Sequence, residues 1–218
     1  MKWNPIIGNA KNKLGNMVLY TRGGVQYGRV YVPQPRNPRT ELQVLSRAKL
    51  KFISGIASSF GCIARLGFSP EVTGRYTAQN AFIKENMTLV NGEESESLTF
   101  TYSDAVVAKG AVTGVAFGSA NFTTPLKVII PIVSNNADVC NTEDDDEVIV
   151  GLYNNEEKQA VVTPAGTYKR STVGESIEID VPARWQGSKV YVYGFVRRIK
   201  DGNISTSNST YIGLGTIS

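Results

Sequence analysis

The sequence predicts an α+β protein: a basic arm, β-hairpin and helical region over residues 1–95, followed by an immunoglobulin-like β-sandwich over residues 96–218. Three observations predict it. Two β-rich runs flank the pair Gly23-Gly24. Apolar residues between Leu42 and Ile56 recur at helical spacing. From Leu98 onward, seven or eight short strands alternate with turn signals over about 120 residues, the pattern of a two-sheet all-β unit.

Residues 1–15 read as an arm, because Gly8, Gly15 and several Asn give turn chemistry and no periodicity. Met17 to Tyr20 and Val25 to Val32 then form a hairpin about Gly23-Gly24, since paired glycines supply the positive φ that tight hairpins need. Pro33, Pro35 and Pro38 end the second strand. A helix is expected from about Pro38 to Ser54. Asn37 is a cap, Pro38 suits the first turn, and Thr40 with Gln43 makes a capping box. Leu42, Leu45, Phe52, Ile53 and Ile56 lie on one face, interrupted by Lys49. Arg39, Gln43, Arg47 and Lys51 recur every four residues on another. Shorter helices are expected over 56–65 and 78–87.

The character of the chain changes after Asn91-Gly92-Glu93-Glu94. Strands are expected near 98–102, 111–117, 126–133, 147–153, 158–163, 176–181, 189–198 and 209–214. Ser176 to Val181 alternates strictly, as a half-buried strand should. There is no Cys-Trp-Cys core pattern of an antibody domain. Trp185 reads as core or as a corner residue.

Charge is divided unevenly. The first 51 residues hold ten Lys and Arg against one acidic residue, Glu41. Residues 1–95 carry 13 basic and 5 acidic residues, and residues 96–218 carry 10 basic and 14 acidic. The basic region thus favours an anionic partner. Its residues Arg22, Arg29, Arg36, Arg39, Arg47, Lys49 and Lys51 interleave with Tyr20, Tyr27 and Tyr31. Three readings stay open for this set: contacts to a neighbouring subunit through an acidic surface, contacts to nucleic acid through phosphates and stacked bases, or a solvated helix face.

Catalysis finds little support. The chain has no histidine, which removes the commonest general base and the commonest metal ligand. No nucleophile elbow and no phosphate-binding glycine loop is present. The run Glu143 to Glu147 is five consecutive carboxylates without calcium-loop spacing, so it reads as a solvated or partner-facing loop, with no metal expected. Cys62 and Cys140 are expected to be free and buried. Met1 to Pro5 lacks an apolar signal region and no run is long enough to span a bilayer. The expectation is a protein made in, and released from, a cytoplasm.

Several segments carry a resemblance: Gly15 to Val18; Asn37 to Thr40 with Gln43 and Arg47; Arg184 to Gly187; Tyr191 to Phe195; and Ser207 to Gly213. In this order they resemble an uncharacterised family of Bacteroidota and their phages, a domain of unknown function that brings no catalytic residues with it. A looser resemblance is to small virion proteins of crAss-like gut phages, which build rings or coats. The acidic run departs from the family pattern. The resemblance implies a structural virion subunit of a phage tail, neck ring or capsid-accessory position. It implies a homo-oligomer assembled in the bacterial host cytoplasm, with other virion proteins as partners, no cofactor and no membrane. A bacterial binding module and a nucleic-acid-associated protein are the alternatives.

Overall fold

Strands β8 (Glu147–Asn154) and β11 (Lys189–Lys200) pair antiparallel, Tyr191 opposite Tyr153, and are buried on both faces. Their side chains alternate as strand geometry requires. Val148, Val150, Leu152, Val190, Val192 and Val196 enter one apolar cluster, while Ile149, Tyr153, Tyr193 and Phe195 enter another. A sheet covered on both sides fixes a three-layer arrangement. The computed structural model that shows it describes residues 12–34, 39–74, 76–94, 96–171, 174 and 176–218.

On one side lies a smaller antiparallel sheet. It is formed by β6 (Ala116–Phe117), β7 (Lys127–Ser134) and β10 (Ser176–Asp180) in the order β10-β7-β6. Val128 and Ile130 from β7 and Ile177 and Ile179 from β10 meet the valines of β8 and β11, with Trp185 fully buried among them. The central sheet adds β9 (Gln159–Val162) beside β8, and β12 (Asn203–Thr206) and β13 (Thr210–Thr216) beside β11.

The helices α1 (Glu41–Ser59), α2 (Gly61–Gly67) and α3 (Ala78–Asn86) form the third layer. Gly151 of β8 lets α2 approach, since a Cβ there would lie 2.6 Å from Ile63 Cδ1. Aromatic rings fill the space between layers: Phe60 stacks on Tyr153 at 4.0 Å and on Phe82 at 5.1 Å between centroids. This cluster runs from Ile53 through Val107 to Phe195, so it takes in residues from both sides of the division placed at residue 95. The minor pair β4 (Val90–Asn91) and β5 (Thr99–Phe100) bridges that same division.

The observed class is mixed helix and sheet, as expected. The first helix is displaced from its expected span, running over 41–59. Thr40 is its N-cap in extended conformation without a side-chain cap bond. Asn37 and Pro38, expected to start it, lie outside the described residues. The helix passes Gly55 and ends at Ser59, with the fully buried Phe60 between it and α2. The expected strands at 98–102 and 111–117 shrink to two residues each, because the chain there is held by other partners. After β12 the edge of β11 is left and regained at Ser207-Asn208-Ser209. Ser207 Oγ accepts from the Val196 N–H at 2.9 Å, and Ser209 Oγ accepts from the Val107 N–H at 3.0 Å. Ser209 N–H donates to the Ala108 carbonyl at 3.0 Å and Asn208 Oδ1 accepts from Gly110 N–H at 3.3 Å. Segment 105–112 is thereby bonded to the sheet by side chains and isolated backbone bonds instead of by a continuous ladder.

Both cysteines are free, but Cys140 is exposed rather than buried, and Cys62 is only half-buried. Among the described residues no helix is long and apolar enough to cross a membrane.

Candidate assembly surface

Three strands precede the helices and form a sheet of their own: β1 (Asn12–Leu14), β2 (Met17–Arg22) and β3 (Val25–Val30). Gly23 and Gly24, at φ 56° and 73°, make the two-residue turn that puts Arg22 opposite Val25. Strand β1, over residues read as arm, turns at Gly15-Asn16 and pairs Leu14 with Met17. No described residue of this meander enters either apolar cluster.

Register sorts the side chains. Successive residues of a strand face opposite ways, and directly opposed residues share a face. Tyr20 is opposite Tyr27, and their rings stack at 5.5 Å with an 18° interplanar angle. Val18 is opposite Arg29 and Lys13, and Arg22 is opposite Val25. The Lys13 ammonium sits 3.8 Å from the centre of the Tyr31 ring. One face therefore carries Lys13, Arg22 and Arg29 around Tyr20, Tyr27 and Tyr31. Lys13 is the member that sequence reasoning missed; the signal was its place in a third strand hidden behind turn-rich composition.

The other face is apolar at one end. Leu14, Met17 and Val30 are directly opposed across the three strands, and each is exposed, Val30 by 71%. Met17 and Leu19 fold over Gly28, whose missing Cβ would meet Met17 Cε at 3.0 Å. Of the fourteen exposed large hydrophobic residues among the described residues, nine lie between Leu14 and Leu50. Scattered exposed apolar residues need no explanation, and these lie on both faces of the meander and along α1, so the directly opposed row Leu14, Met17 and Val30 is the contiguous part of the set that is a candidate contact surface.

The remaining sequence candidates fall elsewhere. Arg39 precedes α1, Arg47 and Lys51 are exposed on it, and Lys49 is half-buried on another side of the same helix. Only the C-terminal half of α1 contributes buried residues, namely Ile53, Ile56 and Ala57, whereas Leu42, Val44 and Leu50 are exposed. Arg36 lies outside the described residues.

The acidic run departs from its expected role. Asp146 is fully buried and bonded to Arg198 Nε at 2.6 Å and to Arg170 Nε at 3.1 Å. Arg170, also fully buried, donates further to the Thr113 and Asn135 carbonyls. Glu147 pairs with Arg197, Glu143 with Lys200 at 2.9 Å, and Asp145 with Lys169 at 2.8 Å. Burial pushes the Asp146 carboxyl up, but the hydrogen bonds from Arg198 and the Glu143 N–H, with the charges of Arg198 and Arg170, outweigh it and hold the group below its ordinary value. The run is thus in large part an internal ion network through Glu143, Asp146 and Glu147, with Asp144 and Asp145 exposed at its edge. Its sequence partners lie at 169–170 and 197–200, too distant for local patterning to reveal.

A second acidic group has no such neutralisation. Glu41, Glu93, Glu94 and Glu96 line a groove of about 520 Å³ with Val44, Leu45 and Arg39. The ion pairs of the described residues involve none of these four carboxylates, nor Arg22 or Arg29.

No curated protein and no solved structure matches this chain. One family does, over residues 8–213, which takes in the meander, the helices and both sheets. The chain belongs to the family of unknown function DUF6266.

Proposed function

We propose that this protein is a structural subunit of a virion, in a phage tail, neck ring or capsid-accessory position, that acts by protein–protein assembly and not as an enzyme. One observation carries the reading: a meander whose described residues enter neither apolar cluster, although it buries Leu19 and Gln26, presents an exposed apolar row, Leu14, Met17 and Val30, opposite a basic aromatic face. A small sheet alone is marginal in water, so it gains most by lying on another surface. Its partners are copies of itself and other virion proteins, and it needs no cofactor. It assembles in the cytoplasm of a bacterial host.

The finer fold reading belongs to the same proposal. We infer that the two facing sheets are an immunoglobulin-like sandwich. In support, the sheet orders β6-β7-β10 and β9-β8-β11-β13 follow the A-B-E and C′-C-F-G pattern of that class. A binding module of that class is the alternative function.

A nucleic-acid reading is favoured by one further observation, the three tyrosines and three cations on one strand face. Aromatic side chains beside cations suit stacked bases and phosphates. Salt-dependent binding of single-stranded DNA would support it.

The assembly reading is tested by mass photometry over a range of concentrations. Wild type should form discrete oligomers, and Leu14→Ser/Met17→Ser/Val30→Ser should shift them to monomer. Oligomers unchanged in the triple variant would overturn the role given to the meander.

A further inference from the structure

We infer that the basic aromatic face of the meander docks, head to tail, into the Glu41/Glu93/Glu94/Glu96 groove of a second copy. This rests on the assembly reading and names the receptor within it.

Charge complementarity selects the groove. The face offers three cations, Lys13, Arg22 and Arg29. The groove carries four carboxylates against Arg39, a net of three negative charges (four less one). In the other dense acidic segment, Glu143 to Glu147, four of the five carboxylates are paired within their own chain, and Asp144 is in none of the ion pairs of the described residues. It therefore has little charge left for a partner. None of the ion pairs of the described residues involves the groove glutamates, so a neighbour's arginines would meet them with Arg39 alone of the lining residues as a competing cation.

Shape and apolar character agree. Val44 and Leu45 give the groove an apolar wall. Its volume of about 520 Å³ falls in the range of roughly 300–1,000 Å³ that holds a drug-sized ligand, so it has room for an aromatic side chain. Tyr20 projects from the face at 42% exposure. No described residue of the meander lines the groove of its own chain. Face and groove are different patches, so the contact is heterologous. Repetition of a heterologous contact builds a ring if it closes and a filament if it does not.

The test is charge exchange in the full-length protein. Arg22→Glu/Arg29→Glu and Glu93→Lys/Glu94→Lys are prepared separately and then mixed. Each alone should raise the concentration needed for assembly by roughly tenfold or more, and the mixture should recover assembly. Near-UV spectra matching wild type establish that the variants are folded. If either charge-reversed variant loses that spectrum, Arg22→Gln/Arg29→Gln and Glu93→Gln/Glu94→Gln replace them, with the same direction of weakening expected. Folded variants that assemble like wild type, or weakened charge-reversed variants that do not recover on mixing, would overturn this pairing and leave the assembly reading standing. A wild-type chain that stays monomeric at every concentration would overturn both.

Discussion

Arg170 and Asp146 are both fully buried and meet at 3.1 Å, while the other arginines among the described residues lie nearer the surface. The pair joins the acidic run to the turn after β9, and Arg198 joins it to β11. Breaking a buried pair by removing one partner leaves an uncompensated charge and costs about 3–5 kcal/mol. Asp146→Asn should therefore lower stability by about that much in urea unfolding, with Arg170 as the stranded group. A variant as stable as wild type would show that the network contributes nothing net.

The same carboxylate sets a pH dependence. Its folded pKa lies below its ordinary value, so its stabilisation is fully present above the unfolded value of about 3.9. It is lost as pH falls through the lower folded value. Wild-type stability should drop in that acid window, and Asp146→Asn should show a shallower drop. Parallel acid profiles for the two proteins would assign the titration to other carboxylates.

Gly151 is the point at which helix and sheet touch. A Cβ there meets Ile63 at 2.6 Å, and overpacking of this kind costs about 1–3 kcal/mol. Gly151→Ala should destabilise by that amount, and Ile63→Val in the same chain should recover part of it. Additive losses in the double variant would argue that the two sites do not meet.

The helices and the central sheet share one aromatic cluster, so they should unfold together. Thermal unfolding followed by tyrosine near-UV signal and by far-UV signal should coincide. Cleavage in the exposed polar stretch near Glu93 and Glu94 should yield fragments that stay associated. Two separated transitions would show instead that the regions divided at residue 95 fold independently.

Strands with long apolar or alternating runs were legible in the sequence. The runs over 127–134, 147–154, 176–180 and 189–200 lie close to their expected positions. Elements fixed by distant partners were not. β12 is a four-residue strand whose register comes from the turn at Asp201-Gly202 and from β11. The bonds of Asn208 and Ser209 to Gly110, Val107 and Ala108 connect residues about a hundred positions apart. The basic face was half legible. Arg and Tyr could be read from the hairpin, but Lys13 needed β1, and the division of cations between meander and helix needed the register. The acidic run misled because pattern shows charge and not the arginines folded onto it.

The most direct test of the central claim is cross-linking between distinguishable copies. Isotope-labelled and unlabelled protein are mixed, allowed to exchange and assemble, and treated with a carbodiimide that joins amines to carboxylates. Peptide mass spectrometry then reads which copies each link connects. Docking of the meander face on a neighbour's groove predicts links from Lys13 to Glu93, Glu94 or Glu96 that join labelled to unlabelled chains. Links from Lys13 confined to chains of the same label, or to carboxylates far from the groove, would contradict it.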